Sequence, residues 1–254
     1  MAQAVSRGPV SGTAHVSKKR KPFLVDLYST ALGKKYVMAI TGLIGIGFVV
    51  THLIGNLKVY LGLIEHNGER VYDIDVYGEF LRELLVPILP RTYALWLLRL
   101  VLIGALVLHL HAAYTLTIMN RRARPVGYQS KRDYVAADFA SRTMRWTGII
   151  VFFFVIFHLL DLTWGTANPD FVQGDVYRNL IASFERTPVA LVYVVANLAL
   201  AFHLYHGAWS LFQSLGVGGR GTRAATRRFA IGYAGLVALG NVSFPIAVLT
   251  GVIR

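Results

Sequence analysis

Long uninterrupted apolar runs dominate this chain. Five of them, about Tyr36–Leu61, Thr92–Met119, Met144–Trp164, Pro188–Leu215 and Arg228–Ile253, approach or exceed the ~20 residues a helix needs to cross a bilayer. Pro188 suits a first helical turn, and Gly216, Gly218 and Gly219 suit a helix end. The pattern predicts five membrane-spanning helices. The segment between the first two runs is long, and Tyr77–Leu89 within it reads as a short amphipathic helix lying at the membrane interface.

Composition strengthens this picture. Hydrophobic residues make up 55% of the 254, and mean hydropathy is +0.51. Charged residues are 15%, against about 25% in an ordinary soluble domain. The expected fold is an all-α integral membrane protein, with residues 1–30 a flexible basic tail and residues 31–254 one five-helix domain. Met1–Lys35 lacks an apolar core, so it does not read as a secretory signal.

A net charge of +13 raises the question of nucleic acid, and the distribution of the charge answers it. The cations sit in the N-terminal arm (Lys18 to Lys21, Lys34, Lys35), in the loop after the second span (Arg121, Arg122, Arg124, Lys131, Arg132, Arg142, Arg145) and in the loop after the fourth (Arg220, Arg223, Arg227, Arg228). The other two loops carry most of the acids: Glu65, Glu69, Asp73, Asp75, Glu79, Glu83, then Asp170, Asp175 and Glu185. This alternation follows the positive-inside rule and excludes nucleic-acid binding as the role of the charge. It puts the N-terminus in the cytoplasm and the C-terminus outside. The absence of Cys excludes disulfides, thiolate iron–sulfur clusters and covalent haem attachment on this chain.

Four of the five spans carry histidine: His52, His109 with His111, His158, and His203 with His206. An ionisable residue in hydrocarbon is costly and marks function by default, and neutral imidazole is a common haem ligand. Depth sorts them. His52 lies 16 residues beyond Tyr36 and His158 14 beyond Met144, both in the outer half of ascending helices. His109 lies 11 residues before Asn120 and His206 18 after Pro188, both in the inner half of descending helices. At ~1.5 Å per residue the two levels are on the order of 10 Å apart. Two pairs at two depths are what two stacked bis-histidine haems need, with His52/His158 as one pair and His109/His206 as the other. His111 and His203 are alternative ligands or propionate partners. Arg99, seven residues into the second span, either meets a propionate or snorkels to the interface. Lys58 reads as snorkelling. Thr41 to Gly47 supplies small residues that let a flat cofactor or another helix approach.

These residues resemble a known family. The stretches Gly33-Lys34-Lys35-Tyr36-Val37-Met38-Ala39-Ile40-Thr41-Gly42, His52-Leu53-Ile54-Gly55-Asn56-Leu57, Asn120-Arg121-Arg122-Ala123-Arg124-Pro125 and Phe202 to Gly216 resemble the membrane-anchor cytochrome b subunit of succinate dehydrogenase/fumarate reductase, in its class with one five-helix anchor and two haems b. The likeness covers about residues 30–254. It implies haem ligands at His52, His109, His158 and His206, favouring His109 over His111 and His206 over His203. It implies a proximal haem at His109/His206 and a distal one at His52/His158, a flavoprotein subunit and an iron–sulfur subunit as partners, menaquinone as electron acceptor and the bacterial cytoplasmic membrane as location. The complex can be oligomeric. Glu79, Glu83 and Asp73 are the candidate quinone-linked proton carriers. The rival readings are a fumarate reductase anchor running in reverse, a haem-free transporter or proton channel, a bare structural anchor, and a dihaem cytochrome without soluble partners.

Overall fold

A computed structural model describes residues 22–123, 139–217, 219 and 221–254, with the side chains of 139–142 left out. Its long helices are α2 (Ala31–Asn56), α4 (Tyr93–Arg122), α5 (Phe139–Leu162), α7 (Thr187–Ser214) and α8 (Arg223–Leu249). All five are long and apolar enough to cross a membrane, as the apolar runs predict. Helices are the natural answer there, because a span in lipid must satisfy every backbone polar group within itself. Large apolar side chains face outward along all five, among them Ile40, Leu97, Phe153, Val195 and Leu239. The covered interior is rich in alanine: Ala39, Ala112, Ala190, Ala196, Ala208 and Ala230. Small residues let helix backbones approach where lipid gives no hydrophobic drive for association. In the bundle α2 packs on α4, α7 and α8, while α7 packs on α5 and α8.

Short elements gather at one end. The 3₁₀ turn Leu57–Leu61 continues α2. Strands β1 (Leu63–His66) and β2 (Glu69–Tyr72) pair antiparallel through Asn67-Gly68, both at positive φ. That dipeptide is the strongest short hairpin signal a sequence carries. Then come α3 (Asp73–Arg82) and, between α5 and α7, α6 (Val176–Glu185). The amphipathic helix expected at Tyr77–Leu89 is thus α3, shifted toward the N-terminus. Tyr72 and Tyr177 stack with ring centres 3.5 Å apart, joining hairpin to α6. Asp75 accepts from the backbone N–H of Val176 at 2.6 Å and of Tyr177 at 3.0 Å, tying α3 to the first turn of α6. Burial outweighs these hydrogen bonds and pushes the Asp75 carboxyl above its ordinary range. Beneath them Leu53, Val59, Ile74, Leu180, Phe184 and Phe244 form the main core cluster. These elements cap the end of the bundle that holds His52 and His158.

The other end has a small helix, α1 (Phe23–Ser29), within the stretch read as a tail. Thr30 Oγ1 accepts from Gly33 N–H at 3.0 Å and caps α2, which starts it five residues before the expected Tyr36. A Cβ on Gly33 would lie 1.9 Å from the Leu27 carbonyl oxygen, so only glycine lets α1 turn back this tightly. Tyr28 Oη is hydrogen-bonded to His111 Nδ1 at 2.5 Å, anchoring α1 to α4. Among the basic-loop residues, Arg124, Lys131, Arg132 and Arg220 lie outside the described residues.

Candidate functional site

Two histidine pairs face each other inside the bundle. His52 of α2 and His158 of α5 have ring centres 5.9 Å apart and are nearly perpendicular. His109 of α4 and His203 of α7 have ring centres 6.4 Å apart. Two imidazoles binding one metal from opposite sides, with bonds of ~2 Å, place their ring centres on the order of 6 Å apart. Both pairs therefore stand at the separation a bis-histidine iron requires.

The inner pair brings a change of residue. Depth and the family's His-Gly pair pointed to His206, but a ring opposite His109 belongs to His203. His206 lies with its ring 6.3 Å from that of Trp209. The two positions differ by one helical turn, a distance the depth estimate does not resolve. His111, two residues past His109, is exposed and turned toward Tyr28.

Hydrogen bonding fixes which ring nitrogens point across the gaps. Thr41 Oγ1 lies 3.0 Å from His109 Nδ1 and already donates its proton to the Val37 carbonyl at 2.7 Å. Thr147 Oγ1 lies 3.4 Å from His203 Nδ1 and donates to the Met144 carbonyl at 3.0 Å. Tyr193 Oη lies 3.3 Å from His158 Nδ1 and donates to Asp161 at 2.9 Å. A hydroxyl has one proton, so each of these offers the imidazole a lone pair. This arrangement favours hydrogen on Nδ1 of His109, His203 and His158, the tautomer that leaves Nε2 to bind a metal. A ligating histidine almost always donates its other N–H in this way.

Glycine lies against two of the rings, in ordinary contact distance at His109 and more tightly at His203. A Cβ on Gly42 would come 3.7 Å from His109 Cε1, and one on Gly148 would come 3.3 Å from His203 Cε1. Phe48 stacks on His52 one turn away at 5.2 Å, and Phe154 sits likewise against His158 at 5.8 Å. The His52 ring is exposed although it sits deep in a span. Among the described residues, the buried indole N–H of Trp209 meets no acceptor.

These correspondences follow an internal repeat. Met38, Thr41, Gly42, Phe48 and His52 recur with identical spacing as Met144, Thr147, Gly148, Phe154 and His158. One unit lies on α2 and the other on α5. Thr41 and Gly42 back His109 on α4; Thr147 and Gly148 back His203 on α7. His203 is thus the equivalent of His109, and His158 of His52. Each facing pair consists of two equivalent residues, as contacts across a two-fold relation do.

The remaining candidates are placed as follows. Lys58 is bound to Asp73 at 2.7 Å rather than snorkelling freely. Glu79 pairs with Arg82 and Arg91, and the Arg91 guanidinium holds its carboxyl below the usual range. Glu83 is exposed at the end of α3. Arg99 lies over the Trp96 ring at 5.0 Å. Three functional neighbours escaped the sequence reading: Asp161, which is fully buried, and its partners Tyr193 and Arg186. Asp161 lies three residues past His158, and an acid at the end of an apolar run was a readable signal.

No curated protein and no solved structure matches this chain. The model of the family described as succinate dehydrogenase/fumarate reductase transmembrane subunit matches residues 128–242. That stretch holds α5, α6, α7 and much of α8, with His158, His203 and His206 among its residues.

Proposed function

We propose that this chain is the membrane-anchor cytochrome b subunit of a succinate dehydrogenase/fumarate reductase complex. In this reading it holds two haems b, one between His52 and His158 and one between His109 and His203. The observation that carries it is the pair of facing histidine couples on four helices, three of the rings meeting hydroxyls that favour the Nδ1–H tautomer. Haems held by these residues would supply one-electron transfer between an iron–sulfur subunit and menaquinone.

The chain's own residues do the rest. The two-level placement spans the membrane, since His52 and His158 sit by the capped end while His109 and His203 sit toward the other. Thr41, Thr147 and Tyr193 orient the imidazoles. Gly148 keeps room beside the His203 ring. With the N-terminus in the cytoplasm, the basic arm and loops form the face that docks the iron–sulfur and flavoprotein subunits, and the capped end faces outward. The absence of Cys assigns the iron–sulfur clusters to another subunit. Asp73 and Glu79 are engaged in ion pairs, which leaves Glu83 the freest of the three acids to exchange protons near an outer menaquinone. Glu83→Gln should slow menaquinone reduction and spare succinate oxidation by artificial dyes; equal loss of both would contradict that role. The test of the function is copurification with a flavoprotein and an iron–sulfur protein and reduction of the chain's b-type spectrum by succinate. A colourless chain purified without partners would refute it.

A further inference from the structure

A buried polar chain leads away from the His158 ring. Tyr193 Oη lies 3.3 Å from His158 Nδ1 and donates to Asp161 Oδ2 at 2.9 Å. The Asp161 side chain is 0% exposed and also accepts from Ser183 Oγ and, at 2.5 Å, from Arg186 Nη2. Arg186 is fixed in turn by donating to the Ala167 carbonyl at 2.7 Å. An ion pair therefore stands directly behind the hydroxyl that His158 meets.

The inner pair is built differently. Thr41 and Thr147 back His109 and His203, and their protons go to neutral carbonyls of their own helices. His158 instead meets a hydroxyl that donates to a carboxylate. The repeat that makes α2 and α5 alike stops short of this feature: the position in α2 equivalent to Asp161 is Gly55. The asymmetry thus belongs to the His158 side alone.

We propose that Tyr193 and Asp161 are positioning residues for His158, holding its Nδ1–H toward a hydroxyl polarised by a carboxylate and so raising the basicity of Nε2. The proposal rests on the reading of His158 as a haem ligand. A more basic axial ligand favours the oxidised metal, because outer-shell hydrogen bonds tune a ligated metal through its histidine. The geometry makes the two centres electronically unequal and gives the His52/His158 centre a lower reduction potential than a threonine-backed pair would have.

The experiment is an optical redox titration of the whole purified complex with the wild-type chain, Tyr193→Phe and Asp161→Asn. The His52/His158 component is identified as the one missing in His158→Ala. Tyr193→Phe is expected to raise the midpoint of that component and leave the other unmoved. Asp161→Asn keeps an acceptor for the tyrosine and removes the charge; it should raise the same midpoint by a smaller amount and shift the low-spin electron paramagnetic resonance signal of that centre only. Unmoved midpoints in both variants would overturn the proposal. So would equal shifts of both components, or loss of the haem from both variants, since a merely structural role predicts those. A wild-type complex with no component that depends on His158 would overturn the ligand reading itself, and the wild-type titration tells that failure apart from the failure of the tuning.

Discussion

His203 and His206 lie one turn apart on α7, about 4.5 Å along its axis. The His203 ring faces that of His109, and His203 meets Thr147 as His109 meets Thr41. His203→Ala should therefore lose one of two haems, while His206→Ala should retain both; haem per chain in the purified complex decides between them. Retention of both haems in His203→Ala with loss in His206→Ala would return the assignment to His206. The residue types and levels were legible, because histidines in apolar runs are few and the helical rise turns position into depth. The choice between residues one turn apart was not, since helix ends are uncertain by more than that. The repeat does not decide it: Thr41-Gly42 and Thr147-Gly148 pair α2 with α5, and only the contacts of the folded chain bring His109 to the first and His203 to the second.

At the scale of elements, the capped end depends on close contacts and one buried ion pair. A Cβ on Gly55 of α2 would lie 2.4 Å from the Tyr77 ring of α3, whereas one on Gly45 would meet nothing within 4 Å. Gly55→Ala should destabilise the protein by about 1–3 kcal/mol through overpacking, and Gly45→Ala should be near neutral. Melting in detergent compares the two. Arg186, at the junction of α6 and α7, neutralises the fully buried Asp161. Arg186→Ala leaves that charge uncompensated and should cost about 3–5 kcal/mol, seen as a large drop in melting temperature. A drop no larger than that of Gly45→Ala would show that the pair is not holding the junction. The five long helices were readable because lipid demands long apolar runs. α6 and the hairpin were not read: α6 is short, sits among acids and turns, and is held by Asp75 from across the fold. The hairpin's Asn67-Gly68 signal was present in the sequence, although its strands are only four residues each.

For the whole molecule, the proposed function joins the charge alternation and the two-level histidine pairs in one account, which would have a basic cytoplasmic face, two metal centres in series and a capped outer end. The chain has no Cys, so single introduced thiols report its orientation. A cysteine at Asn67 should react with an impermeant thiol reagent in intact cells, and one at Arg223 only after the membrane is opened. The reverse pattern would invert the topology and the order of the two centres. The most direct test of the central claim is haem quantified per copy of this chain in the purified complex, with its reduced-minus-oxidised spectrum. The account predicts two low-spin b haems per chain; a colourless complex would contradict the electron-transfer role, and a single haem would show that one of the facing pairs does not bind iron.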